Sequence, residues 1–365
     1  MKFTSRPAVV LASLSLAAVA LAGCSEEAAG GGNDGGDGDA AAACAPGDVK
    51  LVGQVRNESN PYEASWLDGG DAFAEMVDLE QDRLTYDADS TKQQEQISQL
   101  LAGDTECLVM NILPNGDSDT PPIVEQAQEA GAYLVTQWNK PADLDVADYD
   151  HWVTHLTYNG EESGKQIGDA LVEEIGGSGG IIALQGILDT AAAKDRFAGL
   201  EASLAENPDV ELLDQQTANF SRAEALEVTK TLLAKHGDDI KGIWTANDDM
   251  ALGALEALKA AGKEGEVAVV GIDAVPDALT AIQDGTMTAT VSSDGPWQGG
   301  IGLAIGYCVA TGELAVEDIP TEDRAWYAEQ FLIDADNVAD FIDPATDESD
   351  FACDNVFSRS QGAIS

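Results

Sequence analysis

From Val49 onward, short apolar runs alternate with longer segments whose apolar positions recur every three to four residues. The runs at 50–55, 83–86, 107–111, 133–136, 152–156, 180–185, 210–215, 242–245, 267–272 and 287–292 have strand length. The segments 63–76, 91–101, 122–130, 161–175, 194–206, 223–236, 251–261 and 276–283 carry the helical period. Parallel strands cannot be joined by a tight turn, so strict strand–helix alternation predicts parallel sheets with crossover helices. Gly103, Gly131, Gly237, Gly262 and Gly285 follow helical segments, where a left-handed stop is expected. Four strand–helix pairs precede residue 150 and four or five follow it. The pattern therefore predicts an α/β chain of two similar doubly wound lobes, with the strand C-terminal ends facing each other across a cleft.

The region before this alternation reads differently. Lys2 and Arg6 precede an apolar run over 8–22, which has the length of an export signal and is too short to span a membrane. The run ends in Leu21-Ala22-Gly23-Cys24, similar to a bacterial lipoprotein processing site, which makes Cys24 the expected lipidated residue. Residues 25–43 are small and acidic without a hydrophobic period, the composition of a flexible tether. Four cysteines remain, Cys44, Cys107, Cys308 and Cys353, with no C-x-x-C spacing; in an exported chain this favours disulfides over metal ligation, and three pairings are open. If the strands after Cys44 and from Cys107 are parallel neighbours, those two thiols meet at one sheet end and Cys308 is left to Cys353.

Charge narrows the partners. Among 365 residues, 18 Lys+Arg stand against 66 Asp+Glu, a net charge of −48. Removing 1–23 leaves 16 basic against 66 acidic residues, a charge of −50. Such a chain lacks the basic footprint that phosphate binding needs, so nucleic acid and an anionic membrane surface are excluded as direct ligands, leaving the membrane only as the site of a lipid anchor.

In open parallel sheets ligands bind outside the strand C-terminal ends. The residues there are Asn57, Asn60, Pro61 and Tyr62; Asn111; Gln137, Trp138 and Asn139; Tyr158 and Asn159; Gly186 and Ile187; Phe220; Asn247, Asp248 and Asp249; Asp273; and Ser293 and Asp294. Amides and carboxylates pair with vicinal hydroxyls and aromatic faces pack on the C–H face of a sugar ring, so the set suits a neutral polyhydroxylated ligand.

Asn60-Pro61-Tyr62, Leu184-Gln185-Gly186 followed by Arg196, the run from Trp244 through Asn247 and Met250 to Leu255, the segment ending in Gly271-Ile272-Asp273, and Ala289-Thr290-Val291 resemble periplasmic sugar-binding proteins of the ribose and galactose type, in that family's order and spacing. The resemblance implies a type I periplasmic binding fold with three hinge crossings, near 156–159, 292–294 and 320–323. It places 47–157 plus 293–321 in an N-terminal lobe and 158–292 plus 322–365 in a C-terminal lobe, after a signal peptide at 1–23 and a linker at 24–46. It further implies a monomeric substrate-receiving lipoprotein that binds a monosaccharide, polyol or small glycoside and hands it to ABC permease subunits, with no cofactor and no catalysis. By position, Asn60, Tyr62 and Asn111 would serve from the first lobe, and Arg196, Phe220, Asn247 and Asp273 from the second. One departure stands out: ribose binders carry an Asp-Arg pair where this chain has Trp138-Asn139. Tyr158 and Ser293 likewise replace other residues at the crossings. An aromatic surface at Trp138, with Trp66, points to a hexose, a polyol or a larger glycoside. Two other roles share this framework, a receptor lobe for a sensor kinase or chemoreceptor and an exported glycoside-processing enzyme. The lactose-repressor family shares the fold, but the chain has an export signal where those proteins have a DNA-binding head.

The remaining motifs read as structural. His151 and His155 flank a strand without a third metal ligand, the glycine-rich stretch 176–180 leads from helix to strand rather than strand to helix, and Asp248-Asp249 fit the first turn of the following helix as caps.

Overall fold

The computed structural model describes residues 43–342 and 347–364; the expected export signal, Cys24 and most of the tether lie outside them. The first described residues are already tied down, because Cys44 is bonded to Cys107. The expected linker at 24–46 thus gives way to ordered structure at its C-terminal end.

The first lobe opens with β1 (Lys50–Val55), α1 (Pro61–Met76), β2 (Gln81–Thr85), α2 (Ser90–Leu101), β3 (Leu108–Ile112), α3 (Thr120–Ala130), β4 (Tyr133–Gln137) and β5 (Trp152–Thr157). The second lobe holds α4 (Gly160–Glu174), β6 (Gly179–Gln185), α5 (Ala191–Glu206), β7 (Val210–Thr217), α6 (Arg222–His236), β8 (Ile240–Thr245), α7 (Asp248–Ala261), β9 (Ala268–Asp273), α8 (Pro276–Gln283) and β10 (Ala289–Ser292). The chain then re-enters the first lobe with α9 (Gly295–Ala310), α10 (Thr321–Arg324) and β11 (Ala325–Ala328), visits the second with β12 (Leu332–Asp334), and ends in the first with β13 (Ser360–Ala363). The sheet orders are β13-β11-β5-β4-β3-β1-β2 and β12-β10-β9-β8-β6-β7. Their parallel parts have the same doubly wound order, and in each the order reverses between the first and third strands, β1 and β3 or β6 and β8. Ligands bind at that reversal in open α/β sheets.

The expected lobe boundaries need a correction at the C-terminal side. Residues 322–365 do not stay with the second lobe: β11 pairs parallel with β5, and β13 pairs antiparallel with β11. Trp326 is fully buried and its indole N–H donates to Thr154 Oγ1 at 3.1 Å, which seats β11 in the first sheet. The third crossing therefore falls at 329–331, and a fourth returns the tail, whose Cys353 is bonded to Cys308 of α9.

Central strands such as β3 and β5 are buried along their whole length, as parallel strands covered on both faces must be. Of the six tryptophans, Trp66, Trp152, Trp244 and Trp326 fill the two cores. Trp66 was expected near the ligand; instead it is fully buried, with its N–H donated to Gln137 Oε1 at 2.7 Å.

Helix N-termini point at the cleft, and their caps are the polar residues found after the strands. Asn60 caps α1 by accepting from the N–H groups of Tyr62 and Glu63; Asn159, Thr190, Ser221 and Asn247 do the same for α4, α5, α6 and α7. Asp248 and Asp249 lie in the first turn of α7 but are not its cap; they reach sideways, to Val275 and Thr290 and to the Arg222 N–H.

Candidate functional site

The two lobes meet around a small cavity lined by Arg56, Asn60, Tyr62, Glu63, Leu113, Trp138, Asn139, Thr190, Ala192, Arg196, Phe220, Asn247 and Asp273. It offers about 40 Å³ of space to water centres. The lobes touch at its mouth: Lys194 Nζ reaches Asp117 Oδ2 at 2.8 Å, the Ser118 hydroxyl donates to Asp189 Oδ2 at 2.8 Å, and Asn60 Nδ2 donates to the Phe220 carbonyl at 3.4 Å. These contacts describe a closed arrangement.

The first-lobe wall is aromatic and amide in character. The Trp138 N–H donates to the Tyr62 hydroxyl at 2.8 Å, and that hydroxyl donates to Gln298 Oε1. Asn139 donates Nδ2 to the Pro114 carbonyl at 2.7 Å, while its Oδ1 is buried without a partner. Beneath them, Arg56 pairs with Glu63 at 3.2 Å and donates to both the side chain and the carbonyl of Asn115; Glu63 also accepts from the Asn57 N–H at 2.8 Å. That ion pair is buried and hydrogen-bonded on every side.

The second-lobe wall is charged. Arg196 is buried, donates Nη1 to the Ala246 carbonyl at 2.6 Å, and lies only 3.6 Å from Asp273 Oδ1 through Nη2. Its guanidinium carbon stands 4.9 Å from the centroid of Trp138, across the cleft. Its Nε has no partner. Burial pushes the Asp273 carboxyl up to about 7, against the pull of Arg196 and of the neighbouring Ser293 and Asn247 side chains. Burial also lowers the Arg196 guanidinium, with Asp273 opposing.

Backbone strain collects here. Among the described non-glycine residues with positive φ are Trp138 (69°), Asn219 (51°), Phe220 (58°), Asp273 (132°) and Ala274 (57°), at or just after the ends of β4, β7 and β9. Such conformations cost of order 1–3 kcal/mol each and persist where surrounding contacts over-determine them. They turn Trp138, Phe220 and Asp273 into the cavity instead of along the next helix.

Eight residues anticipated from sequence line the cavity: Asn60, Tyr62, Trp138, Asn139, Arg196, Phe220, Asn247 and Asp273. Three do not. Asn111 is fully buried inside the first lobe, donating to the Gly299 carbonyl at 3.0 Å and accepting from Gln137 at 3.0 Å, so its amide is spent on packing α9. Tyr158 lies behind Trp138, 5.5 Å between centroids, and Ser293 lies fully buried, its backbone N–H on the Asp273 carbonyl. Arg56, Glu63, Leu113, Thr190 and Ala192 line the cavity without having been anticipated. Arg56 immediately follows β1 and Leu113 immediately follows β3, so a count that takes the first residue after each observed strand finds both.

What the wall can do chemically follows from what it has not yet used. Asn60 spends its side-chain oxygen on the α1 cap and one N–H on the Phe220 carbonyl, and Asn247 spends its oxygen on the α7 cap while its side chain also bears on Asp273; Asn139 keeps an acceptor, Arg196 a donor, and Asp273 carboxylate lone pairs. Donors and acceptors side by side, in a cavity also lined by Trp138 and Phe220, suit hydroxyl groups, which are both at once. The described residues contain no cluster of His, Cys, Asp and Glu able to hold a metal ion.

Comparison with known proteins agrees. Residues 55–314 match the model of the periplasmic binding protein domain. The xylitol-binding protein of Mycolicibacterium smegmatis is 30% identical over 73% of this chain and 74% of its own length. The ribose import binding protein RbsB of Salmonella typhimurium is 30% identical over 77% of this chain and 90% of its own. The crystal structure of a twin-arginine translocation pathway signal protein from Burkholderia phytofirmans has a TM-score of 0.84 at 35% identity, covering 87% of this chain and 99% of that one. By fold, by motif order and by these relatives, the chain belongs to the periplasmic binding protein family, alongside its ribose- and xylitol-binding members.

Proposed function

We propose that this protein is an extracytoplasmic lipoprotein that captures a neutral monosaccharide, polyol or small glycoside between its lobes and delivers it, as a monomer, to an ABC importer. The observation that carries the reading is the unspent hydrogen-bonding capacity of buried cleft residues: Asn139 Oδ1 and Arg196 Nε lack partners, and Asp273 holds Arg196 only loosely. A buried polar group left unpaired costs about 1–3 kcal/mol, and ligand hydroxyls would recover that cost at several positions at once. Contacts from both walls favour the closed state over the open one, which is how binding becomes a shape the permease can recognise. Two relatives are named for ribose and xylitol, which fits Asn, Asp, Arg and aromatic groups around a small cavity.

The anchor reading rests on Leu21-Ala22-Gly23-Cys24. Mass spectrometry of small molecules released from protein purified without added sugar tests the capture, followed by titration of tryptophan fluorescence with ribose, xylitol and a hexose panel. Recovery of an intact polyol or sugar is the expected result; no binding across the panel, or a hydrolysed glycoside, overturns it. Cys24→Ser should move the protein from the membrane fraction to the medium.

A further inference from the structure

A second buried carboxylate stands behind Asp273 and does not line the cavity. Asp248, the first residue of α7, is fully buried. Its Oδ2 accepts from the Val275 N–H at 3.1 Å and its Oδ1 from the Thr290 hydroxyl at 2.8 Å. The Thr290 oxygen in turn accepts from the Ala274 N–H at 3.3 Å. The two amides so held belong to the turn in which Asp273 and Ala274 adopt φ of 132° and 57°.

The neighbourhood is shaped to admit this carboxylate. Thr290 of β10 is the register partner of Gly271 in β9. A Cβ at Gly271 would overlap Oδ1 of Asp248, so only glycine leaves the slot open. Three elements thus converge on one turn: α7 supplies the carboxylate, β9 the gap and β10 the hydroxyl. A left-handed pair of residues with side chains is retained only where its surroundings over-determine it, and here the determination comes from two side chains that the cavity does not touch.

We propose that Asp248, acting with Thr290, is a positioning residue for ligand capture: it clamps the backbone after β9 and thereby aims the Asp273 carboxylate at Arg196 and the cavity. Its consequence for binding rests on the capture of sugars or polyols argued above; the clamp itself does not.

The test has two arms. Amide hydrogen exchange of the ligand-free protein should quicken about tenfold at Ala274 and Val275 in Asp248→Asn and in Thr290→Val, with β6 and β8 unchanged. Ribose and xylitol titrations should show about tenfold weaker binding for the same two variants, near-native binding for Thr290→Ser, and no more than about a twofold further loss when Asp248→Asn is added to Asp273→Ala. Independent, additive losses would overturn the positioning role, as would unchanged exchange at both amides. If neither sugar binds the native protein, the choice of ligand fails while the exchange arm still decides the clamp. If Asp248→Asn does not fold, the Thr290 pair carries both arms.

Discussion

Arg56–Glu63 in the first lobe and Arg196–Asp273 in the second are both buried guanidinium–carboxylate pairs on one cavity, yet they are finished to different degrees. Arg56 has Glu63 and two oxygens of Asn115, and Glu63 has the Asn57 N–H as well. Arg196 has one carbonyl, a carboxylate at 3.6 Å, an indole face and an idle Nε. Removing charges from water is repaid only when all their hydrogen-bonding positions are filled. The first pair is repaid within the fold and acts as wall; the second is left with capacity that the proposed ligand would complete. Completeness of pairing, more than burial or charge, separates structure from site in this cleft.

Breaking the finished pair should produce the largest effect. Glu63→Ala strands Arg56 inside the first lobe and should cost about 3–5 kcal/mol of stability in urea unfolding. Breaking the unfinished pair should cost less stability and more affinity. Asp273→Ala should weaken sugar binding at least tenfold by calorimetry, about 1.5–3 kcal/mol, because hydroxyls and Arg196 lose a charged acceptor. If Asp273→Ala instead mainly unfolds the protein, the contrast between the pairs is wrong.

A pH series sharpens the same contrast. Asp273 is pushed up to about 7 and Asp248 to about 8, both chiefly by burial. Since the folded values lie above the ordinary carboxylate range, the stability these groups contribute is fully present below about pH 4 and is lost progressively as pH rises from there to the folded values of about 7 and about 8. The ligand-free Tm should therefore fall across that window. Affinity should move the other way, rising as Asp273 ionises and becomes the stronger acceptor. An affinity that is flat from pH 6 to 8 would remove Asp273 from the ligand.

The smallest effect is expected at the aromatic contact between the walls. Trp138→Leu removes the Arg196 platform and the donor to Tyr62, for a loss of about 0.5–2 kcal/mol in binding. The larger cavity should improve the relative binding of hexoses over ribose, measured by competition.

The sequence made the framework readable because fully buried parallel strands and amphipathic helices leave opposite periodic marks. It concealed elements that leave neither. α9 is buried around nearly its whole circumference, so no polar face marks its period. β11 and β13 are four residues each, and β13, Ser360-Gln-Gly-Ala363, is polar in the manner of an edge strand. In the site, Asn60 and Asn247 were legible because a residue that caps a helix at a strand end is also one that faces the cleft. Asn111 is instead the fourth residue of β3 and points into the lobe, against Gly299 and Gln137; the apolar run by itself does not show that the strand continues past it. The turn of the backbone that swings Trp138 and Asp273 inward depends on contacts from distant elements and has no local signature.

The returning tail gives the molecule an order of completion. The second lobe's sheet needs nothing beyond Asp334, whereas the first lobe's sheet waits for Ala363. In a chain made from its N-terminus, the lobe begun first is therefore closed last, and until then β11 presents an open strand edge to neighbouring chains. Secretion or expression yield should therefore depend on residues that do not line the cavity. Deleting 360–363 while leaving both disulfides in place should leave the cavity-lining residues intact but raise aggregation during refolding, measured by light scattering.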